Sequence, residues 1–398
     1  MFDTKTIISE VEAAEQSMIA LRRTLHEHPE LGGFEDFTSG LAQDEMKKLG
    51  LPIAMITKHA FAATLDTGRP GKTVMLRADM DALKIQEDPN NLKGPKVAVS
   101  KIDGMCHACG HDAHTSNLIH CARILARHKD ELEGKIVFLF ESGEENNASA
   151  LAICDYLEKN KPDVLFGLHV GSDEEFGHLT VTDGVRSSGV ALITPTFVGV
   201  EGHSSRPDLS VNPIVPAAAA YMELTCAVPL MADPAHINIL SMCMVQGGHA
   251  FNIIPRTVTM SGALRFFDPV DGEHIVPTAR AMCEHTAKAY GCTVLWPDIP
   301  MFMYMPIIND PAVCDVARAA CDKVLPGFRK EMAGMAGSES FGRYSMLVPS
   351  CFSWVGAGNA EKGMNAAHHN KNFDIDERSL AVCAKLTLQF AAEYCAAK

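Results

Sequence analysis

KTVMLRADMD, residues 72–81, decides the fold. Its apolar first half reads as a short buried strand, and Asp79 and Asp81 place acidic groups on the polar loop that follows. Two similar runs come later, Lys135–Phe140 and Val164–His169, separated by helical patterns at about Ala113–His128 and Ala148–Lys159. Strands that alternate with helices and are apolar throughout predict an α/β layer architecture with the sheet covered on both faces. Further helices are predicted upstream at Ile7–His28, stopped by Pro29, and at Phe37–Leu49, ending at Gly50.

The rhythm changes after Gly184. Long alternating strands at Val190–Val200, His236–Val245 and Arg256–Phe267 surround helices near Pro213–Thr225 and Gly272–Tyr290, which is the β, α, β, β, α, β order of a ferredoxin-like domain. Strand and helix alternation then resumes, with helices at Pro311–Val324 and Asp376–Ala396. The expected organisation is a discontinuous catalytic domain, 1–186 and 303–398, interrupted by an inserted α+β domain at 187–302. A chain of 398 residues is long enough for two cores, since single cores stop growing at about 250 to 300 residues.

Composition narrows the function. A formal net charge of −14 argues against nucleic acid or anionic lipid as partner and favours a small-molecule substrate. No apolar stretch resembles a signal peptide or a membrane span, so a cytoplasmic location is expected. Thirteen cysteines scattered through such a chain do not form a disulfide framework; most read as small buried residues.

Cys106 and Cys109 differ from the rest. CHACGHDAHT, residues 106–115, packs five nitrogen or sulfur donors and a carboxylate into nine positions. A thioredoxin-like thiol pair is disfavoured because three histidines crowd it and no helix is expected immediately after it. A structural zinc site lacks its second Cys or His pair. An open catalytic metal site fits best. Further donors follow two of the strands: Glu144 and Glu145 after Lys135–Phe140, and His169 at the end of Val164–His169. Functional groups of α/β sheets gather at the carboxyl ends of strands, so these segments can converge. Of two adjacent glutamates, one can bind metal while the other moves a proton. Near the C-terminus, His368 and His369 lie in a polar loop where one can close the metal shell, and Asp79 and Asp81 can orient ligating histidines.

Taken in order, LRRTLHEHPELGGFE, LRADMDAL, MCHACGHDAHT, GEE, FGLHV, VEGHSSRP, GGHAFNIIP, GSESFG and HHNKNFDIDE resemble the M20 metallopeptidase superfamily, in particular its aminoacylase and auxin-conjugate amidohydrolase branch, over nearly the whole chain. The resemblance implies a zinc-peptidase-like catalytic domain and a ferredoxin-like lid that forms a homodimer interface. It implies Cys109, His111, Glu145, His169 and His369 as metal ligands, His369 by its spacing to Phe373, with His368 the rival. Glu144 would be the general base and His203 the oxyanion stabiliser, reaching in from a second subunit. Asn252 and Arg265 would hold a substrate carboxylate. The chain departs from the family's Gln-Pro-Ala-Glu-Glu run, reading Glu141-Ser142-Gly143-Glu144-Glu145 and continuing without glycines. Neither the base nor a ligand is lost.

The expected cofactor is one or two divalent ions, manganese or zinc before cobalt or nickel, because mixed Cys, His and carboxylate donors suit all four. The expected reaction is hydrolysis of a C–N bond, the amide of an N-acyl or aryl-conjugated amino acid. The alternatives are hydrolytic deamination of an activated aminoaromatic acid, as in the nitroanthranilate aminohydrolases, and a non-catalytic binding protein on the same fold.

Overall fold

The computed structural model describes residues 2–396, which divide into two compact units. The first unit runs from the N-terminus to Arg186 and takes up again at Ile308–Ala333 and from Arg343 onward. Its core is a mixed seven-stranded sheet in the order Ile53–Met55, Phe61–Asp66, Lys135–Glu141, Thr73–Asp79, Val164–Glu175, Ser350–Gly358, Leu179–Thr180. The middle four strands are parallel and the outer ones antiparallel. Lys135–Glu141 and Thr73–Asp79 are buried past their first residue, so both faces are covered. Helices His111–Arg127 and Ser379–Ala396 pack on the central strands, and Thr4–His26 packs on both helices. Each fully buried aromatic, such as Phe138, Phe140 and Phe166, contributes about 1.5–3 kcal/mol of hydrophobic stabilisation.

Several elements differ from their predicted extents; the strand expected at Val190–Val200 is interrupted, leaving Gly189–Ile193 and Thr196–Val198. The strand that was to end at His169 continues to Glu175, because Ser350–Gly358 pairs with it in parallel as far as Gly358 opposite Glu175. His169 is therefore an interior strand residue. The helix expected from about Ala113 begins at His111, directly after the Cys-x-x-Cys segment, because left-handed Gly110 (φ 91°) ends the loop and its carbonyl accepts from Ala113 and His114. All thirteen cysteines are free.

The second unit comprises Ser187–Ile307 and Gly334–Gly342. Its sheet places Thr293–Leu295, Thr196–Val198, Thr257–Phe266 and Asn238–Gln246 side by side, every pair antiparallel. Gly189–Ile193 continues the register of Thr196–Val198 along the same edge of Thr257–Phe266 and pairs in turn with Phe302–Tyr304. Helices Ile214–Ala227 and Pro269–Ala289 share a separate hydrophobic core with it. No helix among the described residues is long and apolar enough to cross a membrane.

Candidate metal and proton-transfer site

The site is built where the loop before helix His111–Arg127 meets the central strands. A side chain at Gly110 would place its Cβ 2.4 Å from Val170 Cγ2, so only glycine lets this loop lie against strand Val164–Glu175. That approach brings Cys109 Sγ to 3.5 Å from His169 Nε2 and 3.6 Å from His368 Nδ1. Donor atoms of Cys109, His169 and His368 form one group, and those of Cys109, His111 and Glu145 a second; within each, all lie within 4.8 Å of one another. Cys109 is common to both. A third group, His111, His114 and His169, meets the same distance limit. His114 is already spent, with Nδ1 on Asp79 Oδ1 (2.6 Å) and Nε2 accepting from Val170 N (3.0 Å), so it braces the loop.

Tautomers fit a cation. His111 Nδ1 donates to Asp81 Oδ1 (3.1 Å), which leaves Nε2 buried with no hydrogen-bond partner among the described residues. His169 Nδ1 donates to the Val170 carbonyl (2.8 Å), so its bare Nε2 faces Cys109. His368 Nε2 is likewise buried without a partner. Burial holds His169 well below the ordinary imidazole range and pushes His368 down to about 3, so both are neutral and able to ligate. Burial also pushes the Cys109 thiol well up, and a thiolate there requires an adjacent cation. Against the desolvation of its own ring, the surrounding negative charge, Asp79 first, raises His111, so without metal the ring holds a second proton, which a divalent ion bound at Nε2 would displace. The donor set therefore fits a divalent metal.

Asp81 does more than orient His111. Its two oxygens also accept from the backbone N–H of Glu144 (3.1 Å) and Glu145 (3.0 Å), so one buried carboxylate fixes a ligand and the turn that carries the glutamates. Beneath it Arg77 joins Asp79 (2.7 Å) to Glu141 (2.7 Å), and Tyr344 donates to Glu141 (2.5 Å), all four side chains being buried. The residues that depart from the family's usual run latch the same turn from outside. Ser142 Oγ donates to Glu35 (2.6 Å), Asn146 Nδ2 donates to the Gly32 carbonyl (2.9 Å), and Gly143 takes the left-handed conformation (φ 70°).

Cys109, His111, Glu145 and His169 are thus brought together, with Glu144 on the same pinned turn. The two C-terminal histidines point differently because His369 is left-handed (φ 60°) with its N–H bonded to the Ala108 carbonyl. His368 enters a donor group with Cys109 and His169, whereas His369 Nε2 lies 3.0 Å from Glu145 Oε1 and belongs to none of the three groups. The spacing to Phe373 selected His369; the adjacent pair itself was the signal for His368.

His203, Asn252 and Arg265 lie in the second unit. His203 is exposed, and its Nδ1 accepts from the N–H of Ser205 (3.1 Å), which places the proton on Nε2 in the neutral ring. The Asn252 carbonyl accepts from Ser204 (3.0 Å), and Arg265 donates to the Ala336 carbonyl (2.6 Å) and Ser338 Oγ (3.1 Å). Behind the metal loop lies a buried ionic network that sequence reasoning missed: Asp112 is ion-paired with Arg22 (2.8 Å) and accepts from His26 (2.7 Å), and Glu87 accepts from His26 (2.9 Å) and Lys96 (2.8 Å). Its members are scattered along the sequence, with no motif to unite them.

The sequence and the fold match known proteins. The model of peptidase family M20/M25/M40 matches residues 75–393. The IAA-amino acid hydrolase ILR1-like 4 of Arabidopsis thaliana is 31% identical, covering 95% of this chain and 85% of the relative. The N-acetylcysteine deacetylase of Bacillus subtilis is 29% identical, covering 94% and 96%. Among solved structures, the Bacillus subtilis YXEP protein, described as a dinuclear metal binding peptidase, superimposes with a TM-score of 0.79 at 27% identity, covering 96% of this chain and 99% of that one.

Proposed function

The chain belongs to the M20 peptidase family and is a metal-dependent amidohydrolase, and from that premise we propose that it hydrolyses the amide of an N-acyl or aryl-conjugated amino acid. The observation that carries the reading is the single Asp81 carboxylate holding both His111 and the Glu144–Glu145 turn. Ligand orientation and proton transfer are set by one group.

We assign Cys109, His111, Glu145 and His169 as ligands, with His369 joining through Glu145 and His368 through Cys109 and His169. This arrangement offers two adjoining cation positions, for manganese or zinc before cobalt or nickel. Divalent metal held there would lower the pKa of water and polarise the amide carbonyl. Glu144 takes the proton of the attacking water and delivers it to the departing nitrogen. His203 presents an Nε2–H suited to the oxygen on which charge develops, and Asn252 and Arg265 bind the substrate carboxylate. Strand Asn238–Gln246 supports a homodimer: among the described residues only one of its edges is paired, and Ile239, Met244 and Val245 on it are exposed.

The test is turnover of metal-reconstituted protein on N-acetyl, N-benzoyl and indoleacetyl amino acids and on aminobenzoates, with amino acid and ammonia measured separately. Amino acid release from the acyl conjugates is expected. Ammonia from the aminobenzoates without amide cleavage would replace amide hydrolysis by ring deamination.

A further inference from the structure

The two buried ligand histidines are held by different means. His111 has the Asp81 carboxylate on its Nδ1, whereas the Nδ1 of His169 bonds only to the carbonyl of its own neighbour, Val170. Nothing in that short-range bond resists rotation of the ring about its Cβ–Cγ bond as a remote carboxylate does. Instead, Trp354 stands directly opposite His169 in the parallel register of strands Val164–Glu175 and Ser350–Gly358. The two rings stack, with centroids 4.5 Å apart and planes 11° from parallel. Gly171, two residues along the strand from His169, makes room for this: a Cβ there would lie 2.1 Å from the indole Nε1. The indole also lies 5.8 Å from the His368 ring, which packs edge-on to His169 at 5.2 Å and is backed by Phe373 at 5.1 Å.

We propose that Trp354 is a positioning residue of the metal centre, its indole face fixing the plane of His169 so that Nε2 points at the cation beside Cys109 and His368. The inference rests on the assignment of His169 as a ligand. A flat aromatic partner sets ring orientation without taking up either nitrogen and keeps water from that side of the centre. Phenylalanine supplies a face and alanine does not.

The test uses purified apoprotein, metal affinity by chelator competition, and indole fluorescence. The chain has two tryptophans, Trp296 and Trp354, so cobalt(II), whose open shell quenches a nearby indole, reports on each through single variants. Trp354→Ala should bind zinc(II) about 10-fold or more weakly, the loss typical of removing an outer partner of a ligand, while Trp354→Phe keeps wild-type affinity. Cobalt(II) should quench wild-type and Trp296→Phe protein alike, and Trp354→Phe should lose that quenching. Wild-type affinity in Trp354→Ala, or undiminished quenching in Trp354→Phe, overturns the proposal; the quenching arm holds even if the alanine variant does not fold. His169→Ala separates the two levels. Unchanged zinc affinity there removes His169 as a ligand and the inference with it, whereas weakened affinity beside a wild-type Trp354→Ala leaves the ligand and removes only Trp354's role.

Discussion

His111 and His203 are hydrogen-bonded at Nδ1 in opposite senses, so each leaves Nε2 facing outward for a different task. In the first unit, His111 is buried and its Nδ1–H donates to Asp81, so Nε2 is the nitrogen left to bind a cation. In the second, His203 is exposed and its Nδ1 accepts a hydrogen bond from the Ser205 N–H, so its outward nitrogen is a donor. A lone pair held rigidly in a dry site suits a cation, and an exposed N–H suits an oxygen that arrives with substrate. The hydrogen bond behind each ring, more than the ring itself, distinguishes the two roles.

Variants can break this contrast. Glu144→Gln should keep its metal and lose about 10²–10⁴-fold in turnover, the usual worth of a general base, as read from kcat beside metal content. Retained turnover removes Glu144. His203→Ala should lose about 10²–10³-fold in kcat with metal affinity unchanged, whereas His111→Ala should lose metal itself. Equal effects on metal binding would erase the distinction drawn between the two histidines. Asp81→Ala should weaken metal binding about 10–100-fold and also lower kcat in protein saturated with metal, because it strands the N–H groups of Glu144 and Glu145 together with that of His111. An affinity loss with normal saturated kcat would confine Asp81 to the ligand.

A smaller effect sharpens the buried side of the comparison. Against its own desolvation, bonds from His26 and Lys96 hold the Glu87 carboxyl down at about 2, from an ordinary 4.5. A depressed carboxyl stabilises the fold above the unfolded pKa, and that stability is lost as pH falls from about 4.5 toward 2. Urea midpoints of Glu87→Gln should therefore lie below wild type at neutral pH and approach it across that window. A difference that is constant with pH would mean that Glu87 contributes through packing alone.

The strands and helices of the first unit were legible because their apolar periodicity is local. Cys109, His111, Glu145 and His169 could be grouped as candidates from the sequence because donors crowd a motif or stand on or just after a buried run. What escaped depends on pairing across distant segments. Strand Val164–Glu175 runs past His169 because Ser350–Gly358 lies beside it, and Trp354 meets His169 only through that register. The choice between His368 and His369 turns on one left-handed residue fixed by the Ala108 carbonyl. Residues 334–342 join the second unit through Ser188 and Arg265, partners more than seventy positions away.

The most direct test is anomalous diffraction at the zinc edge from crystals of zinc-loaded protein. The account predicts density at Cys109 Sγ shared with His111 and Glu145 on one side and with His169 and His368 on the other. Zinc bound elsewhere, with Cys109 unliganded, would contradict it.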